Sequence, residues 1–321
     1  MKIKMLYADI KSDIEIIENE LEQALNSSSH LLNDASIHLL QAGGKRIRPV
    51  FTLLSAKFGD YNIERMKNIA VPLELIHMGS LVHDDVIDNS DMRRGQETVK
   101  AQWNNRVAMY TGNFIFARAL EYVTSIENPR AHQILAKTMV ELVNGEVIQI
   151  EDKFRLDQNL KDYFRRIKRK TALLIESSCE LGAVVSGADE KTVRHLKRYG
   201  YFVGMSFQIV DDILDFTATD KQLGKPAGSD LMQGNVTLPI LLMKDNPLLA
   251  PYLAKVSTTG LSEQERQSML ALVRNSDAIK EATKISNLYL KKALKEVEAL
   301  PDHPMKKKLR DIALFMGKRK S

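Results

Sequence analysis

LVHDDVIDNSDMRRG, residues 81–95, places aspartates beside apolar residues near the end of a long helical pattern. Asp84, Asp85 and Asp88 fall within an arc of about 100° on a helix, so their side chains project roughly the same way. Like charges this close destabilise a helix unless something offsets them. The segment is either a solvated helix end or a binding site for a metal or a basic partner. Oxygen ligands suit Mg²⁺, and no Cys/His ligand set accompanies them, as zinc would require.

The same spacing returns in FQIVDDILDF, residues 207–216. Its acidic residues are Asp211, Asp212 and Asp215. One such motif indicates a metal site only weakly, whereas two, each late in a long apolar helix, indicate it strongly. We expect two antiparallel central helices that face each other across a cavity and carry carboxylates to its mouth. A diphosphate held by several Mg²⁺ ions is the natural ligand of such a cavity. Gly200 and Gly204, on the Asp211 face, either leave room beneath the metals or allow close helix packing.

Apolar residues at spacings of three and four predict helices along almost the whole chain. The first stripe consists of Leu6, Ile10, Ile14, Ile17, Leu21 and Leu25. Further helical patterns cover residues 30–41, 63–89, 106–124, 128–152, 160–187, 190–218, 237–244, 263–274 and 276–299, with one more helix around Pro49 and another after Pro301. Ser262 and Glu265 predict a capping box, and Pro72 predicts a bend. The predicted fold is therefore all-α, a single-domain bundle of ten or more helices around a central cavity, spanning residues 1–321.

Charge and composition narrow the class of protein. The chain has 321 residues, a net charge of +5 and only 6% aromatic residues, and its basic residues are spread out. We therefore expect no nucleic-acid partner; the positive charge suits anionic small molecules or an anionic membrane surface. The single cysteine, Cys179, excludes an internal disulfide and fits a reducing compartment. Without an apolar signal core, or an apolar run near the ~18 residues of a membrane span, we expect a cytoplasmic protein with at most peripheral membrane contact.

Basic residues close to the acidic motifs in sequence are candidates for binding phosphate groups. Arg93 and Arg94 are adjacent, so their side chains should diverge and hold different phosphates. The other candidates are Lys45, Arg46 and Arg48 after the glycine turn Gly43-Gly44, the pair Lys170-Thr171, and Lys225. Each of them, taken alone, is more often only a surface charge.

Together these segments resemble the all-trans polyprenyl diphosphate synthases, the isoprenyl chain-elongating transferases. The matching segments are GGKRIRP at 43–49, HDDVIDNSDMRRG at 83–95, KT at 170–171, QIVDDILDF at 208–216 and GKPAGSD at 224–230. Within the family the chain looks most like the catalytic large subunits, component II, of the bacterial enzymes that make heptaprenyl diphosphate. The resemblance implies an all-α prenyltransferase that uses Mg²⁺ and forms either a homodimer or a dimer with a smaller regulatory subunit, component I.

The resemblance also implies a role for each candidate residue. Isopentenyl diphosphate would be bound by Lys45, Arg48, His77 and Arg94. The allylic diphosphate would be bound by Arg93, Lys170, Thr171, Gln208 and Lys225. Mg²⁺ would be held by Asp84 and Asp88, with Asp85 as a further ligand or support. Another Mg²⁺ would be held by Asp211 with Asp212 and Asp215, and these six residues with Arg93 and Lys170 would form the catalytic set. His77 is also compatible with an ordinary interior histidine, and Asn113 stands where relatives often carry aspartate.

Product length is expected to depend on the helix surface below Asp84. Ser80 precedes Asp84 by one turn and Ile76 by two, while Gly79 sits beside them, partly turned away. In short-chain relatives bulky aromatics near these positions block a tunnel, and here nothing large does so. We expect a long product, heptaprenyl diphosphate for a quinone side chain (that of menaquinone), with hexaprenyl, octaprenyl and geranylgeranyl diphosphates as alternatives. A class I terpene cyclase and a non-catalytic prenyl-binding subunit are the alternatives outside this reaction.

Overall fold

Helices make up most of the computed structural model, which describes residues 8–318. Leu6 of the first apolar stripe and Arg319 and Lys320 of the basic tail lie outside the described residues. After a 3₁₀ turn at Ala8–Ile10, the first elements are α1 (Lys11–Ala24), α2 (His30–Gln41), α3 (Ile47–Ala56), α4 (Ile63–Ile87), β1 (Met92–Arg93), β2 (Gln96–Glu97), α5 (Val99–Gln102), α6 (Asn105–Thr124) and α7 (Pro129–Glu151). The later elements are α8 (Leu160–Ile167), a π-helical turn (Lys168–Ala172), α9 (Leu173–Val185), α10 (Glu190–Thr217), α11 (Asp220–Leu223), α12 (Ser229–Met232), α13 (Leu238–Leu241), α14 (Ala250–Val256), α15 (Glu263–Arg274), α16 (Asp277–Glu298) and α17 (Met305–Gly317). The prediction of an all-α bundle with ten or more helices is confirmed.

The differences from the predicted elements are local. The pattern over residues 160–187 is helical throughout, but the π-helical turn divides it. The pattern over residues 237–244 yields only the single turn of α13. Periodicity did not reveal the antiparallel hairpin of β1 and β2 or the short helices α5, α11, α12 and α14, because these elements are too short to repeat an apolar spacing.

Side chains at the helix starts explain where the long helices begin. The Asn62 side chain accepts hydrogen bonds from the amides of Glu64 and Arg65 at the start of α4, and Asp189 caps α10 in the same way. These caps satisfy amides that have no partner inside the helix. The predicted capping box of Ser262 with Glu265 is confirmed at the start of α15.

The two helices that carry the acidic motifs are connected through α9. Helix α4 packs along α6, and α10 packs along α16 and α9. Helix α9 also contacts α3 and α4, so it joins the two halves of the bundle. One apolar core contains the first part of α10 up to Val203, a second contains Met205, Ile209 and Phe216, and a small third one contains Val210 and Leu214. The acidic end of α10 therefore belongs to a different core from the acidic end of α4.

Close contacts between helix backbones require small residues. A Cβ on Gly200 would lie 2.8 Å from the carbonyl oxygen of Ile175, and a Cβ on Gly204 would lie 2.5 Å from Cα of Ala172. Both glycines therefore serve close helix packing, the second of the two interpretations offered by the sequence, and neither leaves open space at its own surface. No helix within residues 8–318 is long and apolar enough to cross a membrane.

Candidate active site

The first acidic motif ends α4, and each of its aspartates pairs with a cation from a different element. Asp84 lies 3.2 Å from Nζ of Lys170. Asp85 is bound by the Arg93 guanidinium at 2.7 Å, and Asp88 accepts from Nζ of Lys153 at 2.8 Å. These three ion pairs connect three separate segments of the chain to the C-terminal end of α4. The negative charge of the three carboxylates is therefore balanced by basic side chains from other parts of the chain, and not by residues of α4 itself.

A tight hairpin directs the two adjacent arginines. Residues Asn89 and Arg94 both have positive φ angles, 50° and 53°, which only a closely constrained turn holds in place. Arg93 turns back to Asp85, whereas Nη1 of Arg94 lies 3.1 Å from the position that a Cβ on Gly44 would take. The two guanidinium groups therefore diverge, as the sequence predicted.

A second group of positive charge gathers around Arg48, at the start of α3. Its buried Nε has no hydrogen-bond partner. Burial, with the nearby Arg94 charge, lowers the pKa of Arg48 to about 10. Burial also lowers the pKa of His77 well below its usual value, and the charges of Arg48, Arg94 and Arg93 add to this effect, so His77 is neutral. Helix α3 begins without a side-chain cap, so the amides of its first turn have no side-chain acceptor at the N-cap position.

Arg46 has a different environment from its neighbours in the GGKRIR segment. It is 7% exposed and donates to Glu18 at 2.7 Å and to Glu74 at 3.3 Å. These contacts occupy its guanidinium within the protein, which gives it a structural role. Lys45 is partly buried and also has an interaction within the chain.

The second acidic motif has the same spacing as the first but different surroundings. Asp211 is exposed. Asp212 is 2% exposed and accepts hydrogen bonds from the Tyr163 hydroxyl at 2.6 Å and from Nε2 of Gln208 at 2.8 Å. Burial raises the pKa of Asp212 to about 7 despite these bonds. Of the first two aspartates, only Asp211 therefore has its carboxylate directed to solvent.

Asp215, the last aspartate of the second motif, contacts the segment that follows α10. Nζ of Lys225 lies 3.1 Å from Asp215 and 2.6 Å from Asp230. Burial and the neighbouring Asp230 raise the pKa of Asp215, while Lys225 opposes that shift. The two carboxylates thus share one cation, whose side chain is 40% exposed.

The π-helical turn between α8 and α9 connects the two acidic motifs. Lys170 reaches Asp84 and also Glu146, at 3.0 Å. The next residue, Thr171, donates to Oε1 of Gln208 at 2.6 Å, and Gln208 in turn donates to Asp212. A continuous series of polar contacts thus runs from Asp84 to Asp212. The two motifs share one site, although they lie on helices that belong to different cores.

A model of the polyprenyl synthetase family matches residues 29–268. The chain belongs to the polyprenyl synthetase family. It is 55% identical over 99% of its length to heptaprenyl diphosphate synthase component 2 of Geobacillus stearothermophilus, of which 99% is covered. Its structure superposes with a TM-score of 0.91 on heptaprenyl diphosphate synthase from Staphylococcus aureus, 45% identical, covering 97% of this chain and 99% of that chain. A polyprenyl synthase from Caulobacter crescentus, complexed with calcium and isoprenyl diphosphate, gives 0.95 at 29% identity, covering 100% and 98%.

These similarities show that the chain is a polyprenyl diphosphate synthase, a prenyltransferase, and confirm the family that the motifs indicated. Sequence reasoning nevertheless missed several residues of the site. They are Glu146, Lys153, Tyr163 and Asp230. Glu146, Lys153 and Tyr163 lie outside the matching segments, so local spacing carried no signal for them, whereas Asp230 lies inside the segment 224–230 and was passed over. Asn113 is exposed on α6.

The positions expected to control product length in this synthase lie below Asp84 on α4. Ile76 is fully buried, and the Ser80 hydroxyl, partly buried, donates to the His77 carbonyl at 2.8 Å. The Phe116 ring of α6 lies 3.2 Å from the position that a Cβ on Gly79 would take. An aromatic ring therefore does adjoin this surface, on the Gly79 side, and it comes from a helix that the local sequence did not indicate.

The donor set of the synthase is consistent with Mg²⁺. Among residues 8–318, no three His, Cys, Asp or Glu side chains lie together closely enough to hold a metal by themselves. Mg²⁺ commonly uses only one or two carboxylates and takes its other ligands from water and substrate phosphates. A cavity of about 450 Å³ lies between the segment after α13 and the start of α16. None of the predicted site residues lines it; its lining consists of Leu242, Met243, Asp245, Asn246, Asn275, Ser276, Asp277 and Ala278.

Proposed function

We propose that the chain condenses isopentenyl diphosphate with an allylic prenyl diphosphate to make a long all-trans polyprenyl diphosphate. The observation that carries the proposal is the polar series from Asp84 through Lys170 and Thr171 to Asp212, beside the positively charged region at Arg48. One part of the site offers carboxylates paired with cations, and the other gathers Arg48 and Arg94 close to each other, with Glu74 as a nearby carboxylate. Two diphosphates of different reactivity require such a pair of neighbouring sites.

The allylic diphosphate is proposed to bind between the acidic motifs. Its proposed ligands are Arg93, Lys170, Thr171, Gln208 and Lys225. The three cations, Arg93, Lys170 and Lys225, each contact an aspartate of one of the motifs. They therefore lie where positive charge would stabilise a diphosphate bound between the motifs. Burial works against the charge of Lys170, yet Asp84 and Glu146 outweigh it and raise the pKa of Lys170, which keeps it protonated.

Isopentenyl diphosphate is proposed to bind at the positively charged region, through Lys45, Arg48, His77 and Arg94. Burial lowers the pKa of Arg48 and of Arg94, and the Arg94 charge adds to the shift at Arg48; an anion bound beside these guanidinium groups would offset that repulsion. The uncapped amides of α3 add donors. His77, neutral among these arginines, can donate one hydrogen bond without adding repulsion.

Mg²⁺ is proposed to be held by Asp84, Asp88 and Asp211. Asp85, Asp212 and Asp215 are engaged by Arg93, Tyr163 and Lys225, which supports a role in orienting neighbouring groups. When bound, the metal would stabilise negative charge on the departing diphosphate. Metal binding also requires the lysines now paired with Asp84 and Asp88 to turn towards the substrate phosphates.

The proposed reaction breaks the allylic C–O bond, and the electron pair leaves with the diphosphate. Arg93, Lys170 and Lys225 offset the charge that develops on that group. The double bond of isopentenyl diphosphate, oriented by Arg48 and Arg94, attacks the allylic carbon and forms the new C–C bond. A proton is then lost, and the released diphosphate is its proposed acceptor, so no side-chain base is assigned.

The product is proposed to be heptaprenyl diphosphate for a quinone side chain, that of menaquinone. The relatives in Geobacillus stearothermophilus and Staphylococcus aureus, which carry that product in their names, support this choice. Hexaprenyl, octaprenyl and geranylgeranyl diphosphates are the competing products. Coverage of 97% to 100% of the chain by related structures supports one synthase domain over residues 1–321.

We propose that the chain works with a smaller regulatory subunit, since the Geobacillus relative is named a component 2. An apolar stripe on α7 supports such a contact. Its members are Val140, Val143, Val147 and Ile150, each between 47% and 61% exposed. Apolar patches of this kind mark interaction sites. A homodimer through the same stripe is the competing assembly. We also propose a cytoplasmic location, which the buried, unpaired Cys179 supports.

The test incubates the purified chain, alone and with a candidate small subunit, with farnesyl diphosphate, isopentenyl diphosphate and Mg²⁺. We expect longer prenyl diphosphates, sized by chromatography after removal of the phosphates. Release of a hydrocarbon would indicate a terpene cyclase instead. Absence of product with every small subunit, together with tight binding of prenyl diphosphate, would indicate a non-catalytic prenyl-binding protein.

A further inference from the structure

The π-helical turn at Lys168–Ala172 is the segment that delivers Lys170 and Thr171 to the site. The amide of Leu173 donates to the carbonyl of Lys168, which is the five-residue hydrogen bond of a π-helix. Such turns are rare and often lie at functional sites. In this turn two consecutive side chains reach opposite acidic motifs, Lys170 towards Asp84 and Thr171 towards Gln208 beside Asp212. A small displacement of the turn would therefore misplace both contacts together.

Two glycines, one on each flanking helix, let the turn come this close. A Cβ on Gly145 of α7 would lie 2.7 Å from Cβ of Arg169. A Cβ on Gly204 of α10 would lie 2.5 Å from Cα of Ala172 and 3.0 Å from its Cβ. Both distances are shorter than van der Waals contact, and at Gly204 the obstacle is backbone, so the turn itself would have to move.

Side chains of α7 hold the turn from the Gly145 side. Glu141 accepts from Nε of Arg169 at 2.8 Å, and Glu146 accepts from Nζ of Lys170 at 3.0 Å. On the other side the turn has Thr171 bonded to Gln208 of α10. The turn is thus held between α7 and α10, with one glycine at each contact.

We propose that Gly145 and Gly204 are positioning residues for the synthase reaction, seating the π-helical turn so that Lys170 and Thr171 grip the allylic diphosphate. The inference rests on the function proposed for those two residues. In addition, the positions of Lys170 and Thr171 depend on the absence of a side chain at Gly145 and Gly204, two residues that do not contact the substrate.

Gly200 provides a matched control on the same helix. A Cβ there would lie 2.8 Å from the Ile175 carbonyl oxygen and 2.9 Å from Cα of Glu176, a crowding similar to that at Gly204. Those atoms belong to α9, beyond the π-helical turn. Gly200→Ala and Gly204→Ala therefore disturb the packing of α10 to a similar extent, but only Gly204→Ala presses on the turn.

The experiment measures binding of farnesyl diphosphate in the presence of Mg²⁺ and the absence of isopentenyl diphosphate, by titration calorimetry on the full chain. We expect Gly204→Ala and Gly145→Ala to weaken binding roughly tenfold or more, as small misplacements of binding groups do. Gly200→Ala should bind within about twofold of the parent chain while losing similar thermal stability. Equal affinities for Gly200→Ala and Gly204→Ala would overturn the inference.

Two further variants keep the result interpretable. Ala172→Gly adds no bulk and should fold, and it should weaken binding because it loosens the seat at Gly204; an unchanged affinity would contradict the inference even if the glycine variants do not fold. Lys170→Ala tests the underlying role. Normal binding by Lys170→Ala would refute the proposed function of that residue, whereas weak binding by it with normal binding by Gly204→Ala would refute only the positioning role.

Discussion

The two acidic motifs have identical spacing, yet the structure gives them different surroundings. In the first motif, Asp84, Asp85 and Asp88 each pair with a lysine or an arginine from another element. In the second, Asp211 is exposed and Asp212 is buried between neutral hydrogen-bond donors. The same residue pattern therefore yields one motif in which all three carboxylates pair with cations and one in which only Asp215 does so, through Lys225. We infer that the first motif depends on ion pairs with lysines and an arginine, whereas the second presents one exposed carboxylate, Asp211.

The largest expected effect comes from removing charge at the first motif. Asp84→Asn should lower kcat/KM by roughly 10²- to 10³-fold, because the neutral amide cannot hold the metal that stabilises the leaving diphosphate. Asp91→Asn is the matched control in the same segment, since its side chain is 71% exposed. A steady-state assay in which both variants behave alike would contradict the assignment of Asp84.

The next largest effect is expected from removing a basic side chain of the proposed isopentenyl diphosphate site. Arg48→Ala should raise the KM for isopentenyl diphosphate roughly 10- to 100-fold, since hydrogen bonds to charged groups contribute about 1.5–3 kcal/mol. Stability should change little, because the Arg48 Nε has no hydrogen-bond partner to lose and the lost attraction to Glu74 is offset by the lost repulsion with Arg94 and by the relief of a buried charge.

Arg46→Ala is the informative comparison for Arg48→Ala. It removes a buried cation from Glu18 and Glu74 and should cost about 3–5 kcal/mol of unfolding free energy. Denaturant unfolding and substrate kinetics on both variants separate the two roles. Loss of stability in Arg48→Ala with an unchanged KM would place Arg48 among the structural residues.

A comparison within the second motif sharpens the contrast between the motifs. Asp211→Asn should raise the Mg²⁺ concentration for half-maximal activity about tenfold, as loss of metal-site groups commonly does. Asp212→Asn should raise it less, because Asp212 is occupied by Tyr163 and Gln208. Metal titration of the activity gives both values, and the reverse order would show that Asp212 is the ligand.

The same two residues should show the opposite order in stability. Asp212→Ala leaves the buried Tyr163 hydroxyl and the Gln208 amide without an acceptor, which should cost about 1–3 kcal/mol of unfolding free energy. Asp211→Ala, at an exposed position, should change it by less than about 0.5 kcal/mol. Equal values in urea denaturation would remove the distinction between a buried and a solvent-facing carboxylate.

The smallest expected change is in product length. Ser80, one turn before Asp84, is small, whereas Phe207, one turn before Asp211, is aromatic. Ser80→Phe should shorten the product by at least one isoprene unit because it narrows the space below the first motif. Ser80→Ala removes only the hydrogen bond to the His77 carbonyl and should leave the product unchanged. Identical chromatograms for both variants would mean that the chain grows along another surface.

The amino-acid sequence by itself determined the helical fold, the capping box at Ser262, the repeated acidic spacing and the family, because each is a local pattern that survives in a list of residues. Only the tertiary structure decided which carboxylate faces solvent, which cation reaches which aspartate, and that a π-helical turn joins the motifs. The bond from Lys153 to Asp88 spans 65 residues and that from Tyr163 to Asp212 spans 49. Helical periodicity describes one helix at a time, whereas such contacts depend on how separate helices pack, and glycines such as Gly204 allow that packing only in the folded chain.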